Sequence, residues 1–278
     1  MKAFPEVPTA DAADPSVFET GHLWLLEHVA GEPLRFQLQP SGVIQFGDRQ
    51  RTYSDGEDLA PRYTHAVRHI QHRLDREALR DALPDPTDVT FFGSATQDQG
   101  IPYDWHALPS FLGVYVWTAS RESFVPPDVS HKMFEGIGLA PITPIEREVH
   151  ARDFDIDSYE LPTSCWADQP AAGVLIRNKR GGQALLESNR EPGSPDLPDA
   201  VDGLVDELVT PDSIEGAVAT LHERGQAVTV DALVEECMIL AWRVYHHAFT
   251  GGRHSLDPKS VRSNLARYLA QHADEITD

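Results

Sequence analysis

The stretch Glu27–Phe36 reads EHVAGEPLRF and follows the apolar run LWLL, Leu23–Leu26. Together they describe a strand that ends in a tight glycine turn and re-emerges as a second strand alternating around Leu34, Phe36 and Leu38. The turn Pro40-Ser41-Gly42 and the strand VIQFGDR follow, so the region from Leu23 to Tyr53 is a meander. Residues 61–83 then carry Tyr63, Val67, Ile70 and Leu74 at helical spacing, and Pro84 and Pro86 end the pattern.

Further along, DVTFFG (Asp88–Gly93) and SFLGVYVW (Ser110–Trp117) are apolar enough to be central strands, with a polar loop between them. A helix is expected over Pro127–Gly136. AAGVLIRNK, Ala171–Lys179, is an apolar strand that emerges into basic residues. The segment 187–201, ESNREPGSPDLPDAV, has the composition of a linker. Beyond it helices are expected at 212–224, 231–250 and from Asp257, with Pro258 at its first position, to about Ala273. The organisation that follows is a loose arm over residues 1–18, rich in Pro, Ala and Asp, and an α+β domain over 19–187. A linker over 188–201 and a small helical domain over 202–278 complete it.

The chain has 278 residues, 44 of them acidic against 23 basic, for a net charge of -21. Its four lysines are Lys2, Lys132, Lys179 and Lys259, and the remaining basic residues are arginines. Acidity spread along the whole chain with so little lysine points to adaptation to a high-salt cytoplasm. At about 1 M salt the Debye length is only about 3 Å, so net charge does not exclude an RNA partner held by a local arginine patch. No apolar run reaches the roughly 20 residues that span a bilayer, and MKAFPEVPTADAADP has no apolar core of a secretory signal. A soluble cytoplasmic protein without a membrane partner is expected. Cys165 and Cys237 stand far apart with no CxxC neighbour, against both a disulfide framework and a cysteine-based zinc site.

Read in order, these strands resemble the RNA ligase family of covalent nucleotidyltransferases, its haloarchaeal members in particular, over Leu23 to about Leu186. The resemblance implies a nucleotidyltransferase fold with antiparallel sheets and flanking helices, and ATP and Mg²⁺ as cofactors. In the family the first motif is a strand ending Glu-Lys-x-Asp-Gly, whose lysine attacks the α-phosphate of ATP; here it reads Glu27-His28-Val29-Ala30-Gly31. A Phe-Gly-Glu strand corresponds to Phe92-Gly93-Ser94, and an FLGFDVW strand that packs near the base corresponds to Phe111–Trp117, with Val114 at its centre. The metal-binding Glu-Gly of the fourth motif corresponds to Ala172-Gly173, and the lysine of the fifth falls at about Ala184.

The frame matches while the chemistry does not. His28, Ala30, Ser94, Ala172 and Ala184 all replace the residues that react or carry charge. Losing three carboxylates leaves no hard-oxygen cage, so the metal site is expected to be gone. Losing the cation at position 184 removes charge stabilisation from the transferred phosphate. Imidazole is a nucleophile in its own right and largely neutral near pH 7, but His28 is shorter and stiffer than a lysine and would act nearly alone. The flanking Gly31 and the cations Arg35, Arg49, Arg177 and Lys179 remain as candidates for nucleotide or phosphate binding, since arginine suits bidentate phosphate contact.

The expectation is therefore a catalytically degenerate homologue that binds nucleotide or RNA ends or regulates an active paralogue. An active ligase with His28 as nucleophile is the alternative, and a protein-interaction scaffold is a second. His65, His69 and His72 share one helical stripe but lack an acid or cysteine to complete a metal set, so a solvated face is expected. His246 and His247 are expected to decorate a helix packed by Trp242, Tyr245 and Phe249. Gly181-Gly182 and Gly251-Gly252 read as turns. GKS/T, GxGxxG and GxSxG motifs are absent.

Overall fold

Clustering of contacts separates the chain into two units: Met1–Leu59 with Ala66–Gly193, and Ala60–His65 with Ser194–Asp278. The structure, a computed structural model, describes residues 1–53, 58–188, 198, 200–250 and 255–273. The first unit contains β1 (His22–His28), β2 (Gly31–Leu38), β3 (Ile44–Gly47), β4 (Thr52–Tyr53), β5 (Val89–Thr96), β6 (Phe111–Thr118), β7 (Ser123–Phe124), β8 (Pro144–His150), β9 (Gly173–Asn178) and β10 (Gln183–Glu187). Its helices are α1 (Thr64–Arg73), which begins in the stretch grouped with the second unit, α2 (Arg76–Ala82) and α3 (Pro127–Gly136).

The strands form two antiparallel sheets, β10-β9-β1-β8 and β4-β3-β2-β5-β6-β7. Strand alternation sets what each sheet buries. On β1, Leu23 and Leu25 pack on one side with Val174, Ile176 and Ala184. Trp24 and Leu26 pack on the other with Leu175 of β9, and with Phe92 and Tyr115 from the larger sheet. The two sheets therefore share one apolar layer. On the far side of the larger sheet Phe36 stacks on Phe91 at 5.0 Å, and Phe91 meets Phe134 of α3 edge-on at 5.5 Å. Gly113 of β6 makes that approach feasible, because a Cβ there would stand 2.3 Å from the Phe134 ring.

The meander is present, with Gly42 at φ +89° in its turn and the Gln39 amide donating to the Val43 carbonyl at 2.8 Å. The single helix expected over 61–83 is instead a 3-10 turn, Pro61–Tyr63, followed by α1 and α2. The break falls at Asp75, whose carboxylate accepts from the Ala78 amide at 2.8 Å and caps α2, while its own amide donates to the Ile137 carbonyl. His65, expected on a solvated face, is buried, His69 half-buried and His72 exposed. Gly181, at φ +92°, completes a turn closed by Asn178, whose side chain accepts from the amides of Arg180 and Gly182.

The second unit holds α4 (Val201–Leu208), α5 (Pro211–Glu223), α6 (Val230–Val244), α7 (His246–Thr250) and α8 (Pro258–Gln271). Leu204, Leu208, Leu221, Cys237, Val261, Leu265 and Leu269 form its core. α4 falls beside the expected linker and was not anticipated, because eight residues containing Gly203 give a weak helical pattern. The helix expected over 231–250 divides at Tyr245 into α6 and α7. His246, expected on the helix surface, is buried; burial and then its neighbours His247 and Arg62 push its imidazole down to about 4. Most of the expected linker and the pair Gly251-Gly252 lie outside the described residues. Among the described residues no helix is long and apolar enough to cross a membrane.

Candidate functional site: a cleft between the sheets

A cleft of about 230 Å³ opens in the first unit where the apolar layer between the sheets gives out. His28 ends β1 at its floor, Gly31 and Pro33 come from β2, and Gly93 and Ser94 from β5. Leu112, Val114 and Tyr115 of β6 form one wall, and Leu175 and Leu185 of β9 and β10 the other. Register explains the convergence: His28 pairs with Gly173, Pro33 with Ser94, and Ser94 with Leu112. The close approach of β2 to β5 needs Gly31, since a Cβ there would lie 2.4 Å from the Ala95 carbonyl oxygen.

His28, Gly31, Arg49, Ser94 and Val114 are thus brought to one cleft. Burial holds the His28 imidazole below its ordinary pKa, opposed by the charge of Glu187, so the ring is neutral near pH 7. The neighbouring carboxylate, Glu27, faces the other side of β1. There it accepts from the Ser164 hydroxyl at 2.6 Å and from the Cys165 amide at 3.0 Å. Two hydroxyls on the cleft, those of Ser94 and Tyr115, are buried without a hydrogen-bond partner. Burial pushes the Tyr115 phenol up to about 12, so it is a donor at all ordinary pH. A ligand with polar atoms fits such a lining, because each of these buried hydroxyls has no protein partner and can bond it directly.

The remaining candidates stand elsewhere. Arg177 is buried beneath the cleft wall: Nη1 donates to the Val114 carbonyl at 2.9 Å, Nη2 to that of Val125 at 3.2 Å, and the guanidinium lies 4.4 Å from the Tyr115 ring centre. Lys179 pairs with Glu148 at 2.7 Å and Asp128 at 3.5 Å. Arg35 donates to the Lys2 carbonyl at 2.5 Å and the Arg51 carbonyl at 3.4 Å. Ala30 packs with Val29, Tyr103, Leu108 and Leu112, and its amide donates to the Tyr103 hydroxyl. Ala172 precedes β9, and its carbonyl accepts from the Ser188 amide. Ala184 is buried on the face of β10 turned away from the cleft; by alternation the residue of that strand at the cleft is Leu185.

Phe4, Pro5 and Val7 also line the cleft. Composition reads as loop there, and the only sequence signal is two apolar side chains three residues apart, each followed by a proline. Tyr115 lay within the strand expected near a base, but nothing in that apolar run marked its hydroxyl. The described lining does not fit a divalent ion: among the described residues no carboxylate lines the cleft, and no group of three His, Cys, Asp or Glu is placed to hold a metal.

No family model matches the chain, and neither does any curated protein. Solved structures do. One Naegleria gruberi RNA ligase mutant with ATP and Mn is 10% identical, with a TM-score of 0.52 over 68% of this chain and 56% of its own. A second such mutant with ATP and Mn is 12% identical, with a TM-score of 0.50 over the same shares. An archaeal ATP-dependent RNA ligase is 13% identical over 98% of this chain and 74% of its own, with a TM-score of 0.47. The chain spans little more than half the length of the Naegleria enzymes it matches. At these identities the likeness to the two Naegleria structures establishes the fold alone: antiparallel sheets with helices, as in RNA ligase nucleotidyltransferases.

Proposed function

We propose that this protein is an RNA-ligase-like, catalytically degenerate binding module that takes a nucleotide or a nucleotide-bearing RNA end into the cleft without covalent transfer. One observation carries the reading: the cleft keeps the frame, including the glycine approach and a polar-tipped apolar wall, but among the described residues its lining contains no carboxylate and no lysine. Transfer of a nucleotidyl group depends on positioning and on cations that neutralise the phosphate. Among the described residues, Arg49 and a neutral His28 are the only ionisable groups of the lining besides Tyr115. A base fits against Leu112, Val114 and Leu175, with the Tyr115 and Ser94 hydroxyls reading its polar edge. Regulation of an active paralogue would use the same binding without turnover.

The test is intact-mass spectrometry after incubation with ATP and Mg²⁺ or Mn²⁺ in molar KCl, beside calorimetric titration with AMP. Reversible AMP binding and no mass adduct are expected. An acid-labile adduct that disappears in His28→Ala would make His28 a phosphoramidate-forming nucleophile and overturn the reading. Neither binding nor adduct in folded protein would leave the fold as a protein-contact scaffold.

A further inference from the structure

The first nine residues run along the cleft and across the edge of the smaller sheet. Residues 6–9 are tied to β10 by backbone. The Gln183 amide side chain donates to the Glu6 carbonyl at 2.8 Å, the Leu185 amide to the Pro8 carbonyl at 2.9 Å, and Thr9 forms a parallel bridge with Leu185. This covers an otherwise open strand edge, which is reason enough for residues 8 and 9 to lie there. It does not account for residues 2–7. Phe4 meets Phe92 edge-on at 5.0 Å, and Phe4, Pro5 and Val7 form part of the cleft lining. The Arg49 guanidinium lies 5.9 Å from the centre of the Phe4 ring, and Arg35 gives its shortest bond to the Lys2 carbonyl. The Lys2 ammonium sits 4.0 Å over the Trp117 ring. One short segment thus fills the space and engages the two arginines nearest to it.

We propose that residues 2–7 are a gate in cis, which a ligand displaces to enter the cleft. The inference rests on the reading of the cleft as a nucleotide or RNA-end site. With the segment in place the cleft measures about 230 Å³, below the roughly 300–1,000 Å³ of small-molecule sites. Lifting Phe4, Pro5 and Val7 away enlarges it and bares the face of Phe92. The exchange of partners favours an anionic ligand. Arg49, which lines the cleft, trades the face of the Phe4 ring for a phosphate oxygen, a stronger, charge-assisted bond. Residues 8 and 9 act as the hinge side, because their bonds to β10 are backbone to backbone and do not depend on what fills the cleft. Ligand affinity is then reduced by the fraction of molecules whose gate is open.

Three proteins decide the matter: the full chain, a deletion of residues 2–8, and Phe4→Ser in the full chain. AMP is titrated into each, an apolar fluorescent dye reports access to the cleft, and hydrogen exchange follows the peptide covering residues 2–9. Both variants are expected to bind AMP about tenfold more tightly or better, the gain that follows if the gate is open in a tenth of molecules or fewer. Saturating AMP should accelerate exchange in the 2–9 peptide of the full chain. Should the deletion fail to fold, Phe4→Ser and the exchange measurement stand alone. Equal AMP affinity in every folded protein, with exchange in the peptide unchanged, overturns the gate and leaves the nucleotide reading intact. Dye admitted by the variants only, with AMP bound by none, keeps the gate and removes the nucleotide.

Discussion

Arg177, 6% exposed, donates to the carbonyls of Val114 and Val125 and lies under Tyr115. It joins β9 of one sheet to β6 and to the chain after β7 in the other, and so fixes the width of the cleft rather than its charge. Replacing it with Met keeps the apolar stem and removes the fork. The Val114 carbonyl then loses the arginine donor and the Val125 carbonyl keeps only the Ser130 hydroxyl at 3.4 Å, at about 1–3 kcal/mol for each lost bond, offset in part because a buried charge no longer has to be desolvated. Arg177→Met is expected to cost about 2–4 kcal/mol in urea unfolding, and Arg177→Lys nearly as much, since a single ammonium does not reproduce the fork. A loss below about 1 kcal/mol for both would mean that the carbonyls find other donors. The sequence marked Arg177 only as a cation at the end of an apolar strand. Nothing in it distinguishes an arginine whose stem is drawn inward from one that reaches solvent, and the same holds for Arg35.

At the scale of elements, apolar runs bounded by turns gave away β5, β6 and β9, and Pro127 with Gly136 bracketed α3. What stayed hidden was which way a strand faces. β9 is buried along its entire length, so its pattern carries no alternation to read. On β10 the resemblance puts the fifth motif at about Ala184, and spacing does not fix which residue of so short a strand faces the cleft; in the structure that residue is Leu185. The break between α1 and α2 was equally invisible, because it depends on an amide of Asp75 bonding to Ile137, sixty residues on in the fold's own logic of tertiary contact. Element packing also gives a clean test of the larger sheet. A methyl on Gly113 collides with the Phe134 ring, so Gly113→Ala should destabilise the first unit by about 1–3 kcal/mol while Gly136→Ala, where a Cβ meets nothing within 4 Å, is neutral or mildly stabilising. Near-UV circular dichroism during thermal unfolding reads both; equal melting of the two variants would count against the β6–α3 packing.

For the molecule as a whole, a net charge of -21 on 278 residues imposes self-repulsion that salt relieves. Raising KCl from about 0.1 M to about 1 M shortens the Debye length from about 10 Å to about 3 Å. The melting temperature is expected to rise across that range, by about 2–4 °C for each kcal/mol of repulsion removed, and a flat profile would refute the electrostatic account. Composition was legible here; the packing of residues 4 and 7 was not, because Phe4 and Val7 are too few to show a period. The setting of Ala30 has a consequence for any carboxylate placed there. The residue is 5% exposed, pressed among Val29, Tyr103, Leu108 and Leu112. An aspartate there would bring an ion into an apolar cluster, a change that costs several kcal/mol unless the loop is rebuilt. Acidity at position 30 therefore comes at the expense of the packing that holds the end of β1, and a chain altered at that position alone should melt lower than its parent.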